Sequence, residues 1–217
     1  LPKGDAIGVP EFDSLLKFHK GYMTVITGLP GFGKSELLDF IMANLNILNN
    51  WKFGIYSPEN HPLQLHFSKF AEKIIGKSFT GKNKMSLSEL NLVKKHFSEN
   101  FYFIKPAENF TLDNILVSVK QLIRRNGINA FVIDAWNKIE HNYDVNETKY
   151  ISQQLDKLTL FCEANNVHLF LVAHPTKVNK DKNTGNFEVP NLYSISGSAN
   201  FFNKTANWDP SNNRFRL

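Results

Sequence analysis

The chain has 217 residues, 42% hydrophobic and 21% charged, enough for one large domain with a buried core. No apolar run approaches the roughly 18–20 residues needed to cross a bilayer. The net charge of +5 favours a polyanionic partner without requiring one, and a single cysteine, Cys162, excludes an internal disulfide and suits a reducing, cytoplasmic setting.

The opening LPKGDAIGVP lacks the charged-then-apolar order of a signal peptide. It has no initiator Met and reads as the interior of a longer polypeptide. Residues 22–28, YMTVITG, form a β-rich run ending in Gly, and 37–48 carry apolar residues at helical spacing. A second strand is expected over 51–57, then helices over 62–76 and 86–98. FYFIKP at 101–106 is a strand stopped by Pro106. A helix follows with Leu112, Ile115, Leu116, Val119, Leu122 and Ile123 on one face and Gly127 as its stop. AFVID at 130–134 is a strand. The next helix, 149–166, sets Ile151, Leu155, Leu158 and Cys162 in register, and Cys162 is most simply a small buried hydrophobe. VHLFLVAH at 167–174 is another strand, and 175–191 is a polar, Lys-rich loop.

Strands alternating with helices imply βαβ crossovers and a mostly parallel sheet. The strands at 130–134 and 167–173 are continuously apolar, which requires helices on both sheet faces. No repeat or interdomain linker is visible, so residues 1–217 read as a single α/β domain.

Residues 28–35, GLPGFGKS, match G-x-x-x-x-G-K-[ST] between a strand and a helix. Gly28, Gly31 and Gly33, with Leu29, Pro30 and Phe32 between them, can turn backbone N–H groups inward around phosphates. The following helix adds its positive N-terminal end, and Lys34, Ser35 and Glu36 complete the candidate nucleotide-binding residues. Lys34 can reach the β- and γ-phosphates, and the Ser35 hydroxyl can ligate Mg2+. ATP is favoured over GTP, other nucleoside triphosphates staying open: NKTAN at 203–207 lacks the Asp of a guanine-reading Asn-Lys-x-Asp motif.

Asp134 ends an apolar strand and is placed to hold Mg2+ through water, opposite Ser35. Ala135 and Trp136 follow it, where many ATPases carry a Glu that activates the attacking water. Because the carboxyl ends of parallel strands converge on the ligand, the base is sought at another strand end. Glu59 follows the strand after the P-loop helix, stiffened by Pro58, and is preferred to Glu140, which lies six residues beyond Asp134. Trp136 then becomes a packing residue.

A Glu on the strand after the P-loop distinguishes RecA-like ATPases from the AAA+ class. TGLPGFGKSELLDF, YSPENHP, FVIDAWN, FLVAHPTK and YSISGSANFFNKT occur in order and cover about residues 1–207. In this the chain resembles the helicase domain of Twinkle-like and phage helicase-primases, relatives of DnaB. The resemblance implies a RecA-like P-loop core that hydrolyses nucleoside triphosphate as a hexameric ring moving on single-stranded DNA, in a bacterial or phage-infected cell. It implies primase or other replisome components as partners. Lys34 and Ser35 match the P-loop residues, Glu59 the catalytic glutamate and Asp134 the metal-holding aspartate. His174 matches the residue that senses the γ-phosphate, a role its place at a strand end supports. Lys177, Lys180 and Lys182 fall in a channel-lining loop and can neutralise DNA phosphates, while Ser196 and Gly197 match a small-residue turn whose N–H groups can contact phosphate.

Two departures qualify the resemblance. Residues 208–217 are too few for the strand that carries the family's arginine or lysine finger, so neither Arg214 nor Arg216 is assigned that role, and a segment is expected to be absent between Asn207 and Trp208. No primase or zinc-binding region is present, so priming is expected to lie outside this chain. The competing readings are a recombinase-like DNA-dependent ATPase, a metabolic P-loop kinase, for which an Arg-rich lid is wanting, and a nucleotide-binding module inactive alone.

Overall fold

The computed structural model describes residues 4–29, 31–58, 63–106, 108–141 and 146–175, together with residues 195, 200 and 201. Among these residues, five strands form one parallel sheet: β1 (Met23–Thr27), β2 (Phe53–Tyr56), β3 (Phe101–Phe103), β4 (Ala130–Asp134) and β5 (His168–Ala173), in the order β1-β5-β4-β2-β3. The helices are α1 (Pro10–Asp13), α2 (Lys34–Asn49), α3 (Leu63–Ile75), α4 (Leu87–Asn100), α5 (Leu112–Asn126) and α6 (Glu147–Asn165). The chain steps from β1 to β2 to β3 in one direction, then returns through β4 to β5 in the other. Right-handed crossovers then force the helices to change faces at β3. Accordingly, Leu38, Ile41 and Met42 of α2, Phe70 of α3 and Phe97 of α4 pack in one core layer, while Ile115 and Val119 of α5 and Leu155 and Leu158 of α6 pack in the other.

The strands divide between the layers with period two, as pleating requires. Ala130 and Val132 face the α2 side, whereas Phe131 and Ile133 face the α6 side. Phe170 and Val172 alternate with Leu169 and Leu171 in the same way.

Elements begin where local chemistry permits. Helix α2 starts at Lys34, three residues before its apolar periodicity, and none of Lys34, Ser35 and Glu36 is buried in the core. Gly33 caps it at φ 81°, a left-handed conformation suited to glycine. Ser86 and Glu89 form a reciprocal capping box at α4, a pattern legible as SLSE. Gly127 ends α5 in the left-handed conformation, as its position implies. Strand β3 is shorter than the run 101–106, although the Ile104 N–H still donates to Ile55 O at 2.8 Å. The short α1 and the 3-10 turn Trp136–Lys138 have no periodic signature, and only packing reveals them. Among the described residues, no helix is long and apolar enough to cross a membrane.

Candidate active site

Parallel pairing brings the carboxyl ends of β1, β5 and β4 to one edge. Thr27 is paired with Ala173, and Asp134 with Val172. The P-loop leaving β1, His174 leaving β5 and Asp134 ending β4 therefore emerge side by side, with β5 between the other two. That edge is where open α/β sheets bind ligands.

The P-loop glycines at 31 and 33 have φ of 80° and 81°, and a Cβ built on either meets nothing within 4 Å. Open space beside both glycines leaves room for phosphate oxygens to approach backbone N–H groups. Phe32 between them is 76% exposed. The Lys34 ammonium folds back onto its own loop and donates to Gly28 O at 2.8 Å and Leu29 O at 2.9 Å. These carbonyls hold the cation at the loop, where phosphate oxygens can compete for it.

The Ser35 hydroxyl donates to Asp134 Oδ2 at 3.3 Å, joining residues 99 positions apart. Asp134 is 4% exposed. A buried carboxylate beside a helix-opening hydroxyl is a donor set that fits Mg2+, which takes one or two protein ligands and fills its remaining positions with water and phosphate oxygen. Among the described residues no group of three or more His, Cys, Asp or Glu could hold a metal ion.

Glu36 shares the helix-opening turn, but its carboxylate points to α3, with Lys69 and Lys73 both at 2.6 Å. The Lys69 hydrogen bond, with help from Lys73, holds its pKa at about 2. Any contact it makes with nucleotide falls to its backbone. His174 stands half-buried one residue beyond β5. Glu140 accepts from the Phe110 N–H at 3.2 Å and bridges Thr111 through its backbone. Pro30, Glu59, Lys177, Lys180, Lys182, Ser196 and Gly197 lie outside the described residues, as do residues 202–217 with Arg214 and Arg216.

Two features near the site carry no pattern in the sequence, and a third was expected from it. Tyr56, at the end of β2, donates its hydroxyl to Lys138 O at 3.1 Å, tying β2 to the turn after Asp134. Burial, and then the Glu140 charge, raises its pKa. Asp39 of α2 and His66 of α3, 3% and 4% exposed, meet at 2.9 Å and lock the P-loop helix to its neighbour. Trp136 is 6% exposed and packs edge-on to Phe201, which accords with the packing role expected of it.

Comparisons with known proteins bear on the family and the fold. The DnaB-like helicase C terminal domain family matches residues 4–192. The chain is 36% identical over 214 residues to the Twinkle homolog protein, chloroplastic/mitochondrial, of Arabidopsis thaliana, an alignment that covers 94% of this chain and 30% of that protein. It thus spans under a third of the length of that curated relative. Among solved structures, an isolated ATPase domain superposes with a TM-score of 0.70 at 16% identity, over 93% of this chain and 73% of that one. A DnaB-like replicative helicase, described with its interactions with primase, superposes with a TM-score of 0.62 at 16% identity, over 80% and 45%. At these identities the two structures speak to the fold alone.

Proposed function

Because the chain belongs to the DnaB-like helicase C-terminal domain family, we propose that it is the motor domain of a replicative-type helicase, hydrolysing ATP with Mg2+ to move along single-stranded DNA as a hexameric ring. The observation that carries this reading is the Ser35–Asp134 contact at 3.3 Å, set beside the retracted Lys34. A phosphate cradle and a metal-holding pair then share one sheet edge.

On nucleotide binding, the Lys34 ammonium leaves the carbonyls of Gly28 and Leu29 for β- and γ-phosphate oxygens. Ser35 and Asp134 would hold magnesium, which when bound neutralises phosphate charge. Glu59 takes the proton of the attacking water. Its support is topological: it follows β2, the neighbour of β4, and Tyr56 pairs with Ile133 next to Asp134. His174 donates a hydrogen bond to the γ-phosphate from between the P-loop and Asp134.

In the same reading, Lys177, Lys180 and Lys182 neutralise DNA phosphates, and Ser196 and Gly197 contact them through backbone N–H groups. The whole of residues 1–217 acts as one RecA-like motor unit, with primase or other replisome components as partners. We place it in the cytoplasm of a bacterial or phage-infected cell, whereas its Arabidopsis relative is named for two organelles.

The test is ATP hydrolysis at low salt with and without single-stranded DNA, alongside oligomer mass. Stimulation by DNA and its abolition by Lys34→Ala are expected. An active ATPase indifferent to DNA overturns the helicase reading.

A further inference from the structure

Helix α3 meets the P-loop helix α2 along a polar seam that runs beside the apolar contacts of Phe67 and Phe70. Glu36 and Asp39 lie on one face of α2, and His66, Lys69 and Lys73 lie on one face of α3, as their spacing of three or four residues requires. Asp39 meets His66 at 2.9 Å in the buried part of the seam. Nearer the phosphate cradle, the two carboxylate oxygens of Glu36 take one lysine each, Lys69 on Oε1 and Lys73 on Oε2, both at 2.6 Å. Lower numbers on α2 meet higher numbers on α3, so the two helices run antiparallel.

Glu36 follows Ser35 directly and stands about 3 Å along the helix axis from Lys34. Its carboxyl is held at about 2 by the Lys69 hydrogen bond and then by that of Lys73, so it is ionised at neutral pH. Left alone, that charge would stand beside the phosphates of a bound nucleotide and repel them. Two ammonium groups against one carboxylate leave the trio with one net positive charge instead. Exposed ion pairs add little to stability. The Asp39–His66 contact already joins the helices, so the trio's consequence lies in the field it sets beside the cradle. Glu36 and Lys69 are each about half-exposed, which leaves that field open to screening by salt.

We propose that Lys69 and Lys73 are positioning residues of the nucleotide site: they turn the Glu36 carboxylate towards α3 and reverse the sign of the charge beside the cradle, so that α3 favours nucleoside triphosphate over diphosphate. This rests on the nucleotide-binding reading above. Neither lysine touches the nucleotide in it. Both act through Glu36, and the discrimination arises because the field acts in proportion to the charge of the ligand.

The experiment measures the affinity of the full chain for the Mg2+ complexes of a non-hydrolysable ATP analogue and of ADP. Wild type is compared with Glu36→Gln, with the double variant Lys69→Gln/Lys73→Gln, and with the triple variant that combines all three changes. Analogue affinity is expected to follow the charge of the trio: highest for Glu36→Gln, then wild type, then the triple variant, and lowest for the double variant. Each unit of charge is expected to change it roughly threefold at low salt, with smaller steps for ADP, and the steps are expected to collapse at about 0.5 M salt. Lys69→Gln alone should equal the triple variant, which keeps the series readable should the double variant not fold.

A merely structural clasp gives a different order, because every variant, Glu36→Gln included, then weakens binding. The proposal is overturned if Glu36→Gln binds the analogue more weakly than wild type, or if the triple variant binds no better than the double. It is overturned equally by steps that ADP shares in full or that persist at high salt. A wild type that binds no analogue refutes the nucleotide reading itself, whereas an ordered series in a protein whose hydrolysis ignores DNA upholds this proposal and overturns only the helicase reading.

Discussion

His168 opens β5 at the amino edge of the sheet and is fully buried. Phe18, Trp51 and Phe170 surround its ring at centroid distances of 5.6, 5.9 and 4.5 Å. Its Nδ1 lies 2.6 Å from His19 O, which can only accept, so Nδ1 carries the proton. In the neutral ring Nε2 then accepts from the Thr24 hydroxyl at 3.0 Å. Burial pushes the pKa down from the ordinary 6.5 to about 4, the His19 carbonyl opposing the shift and the nearby His19 ring adding to it. Between these values the unfolded chain binds a proton that the folded one refuses, so stability rises with pH across the window. The contribution is complete above about pH 6.5 and is lost as pH falls towards 4. At about 1.4 kcal/mol per pKa unit the whole window is worth about 3 kcal/mol, of which about 2 kcal/mol falls between pH 7.5 and 5.

Urea unfolding of wild type and His168→Asn at those two pH values isolates the effect. The variant is expected to be less stable at both, yet to lose about 2 kcal/mol less on acidification. Glu36 and Glu89, held at about 2 by lysines 69 and 73 and by Lys77 respectively, weaken only below their unfolded value of 4.5, beneath this range. His141, also lowered by burial, contributes equally to both proteins and cancels. An unchanged difference between the two pH values would refute the reasoning.

Asp134→Asn is expected to slow hydrolysis by about 10² or more and to raise the Mg2+ concentration for half-maximal rate; an unaltered magnesium dependence removes Asp134 from the metal site. Glu59→Gln is expected to bind ATP normally and hydrolyse it about 10²–10⁴ times more slowly, so hydrolysis at the wild-type rate would send the search for the base elsewhere. The Cys162 thiol, fully buried and pushed up to about 12 by burial and then by the Glu163 charge, should resist alkylation in the folded protein and react only in denaturant, read by mass spectrometry. Rapid native labelling would contradict its place in the core.

Much of the fold was legible before any coordinates. The helix at 112–126 ends at Gly127 because only a residue free to adopt φ 65° stops it there without strain, and that freedom is written in the residue itself. The strands ending at Asp134 and Ala173 were visible from the apolar runs at 130–133 and 169–173, because two helical layers demand apolar residues on both faces. The P-loop was legible too, since its chemistry is contiguous. Its first helical turn was not, because Lys34, Ser35 and Glu36 are polar and lie outside the apolar period that begins at Leu37. The Asp39–His66 pair was equally silent: single polar residues on two amphipathic helices carry no period of their own.

Sequence alone therefore determined most of the strands and helices, that the sheet is parallel, and which loop carries the phosphate-cradling motif. Each of these follows from local propensity, from periodicity or from a contiguous motif. Only the tertiary structure decided that β5 enters between β1 and β4, that Ser35 meets Asp134 across 99 positions, and that Trp136 rests on Phe201. Those are outcomes of crossover direction and of packing between distant segments, and no local window of residues encodes them.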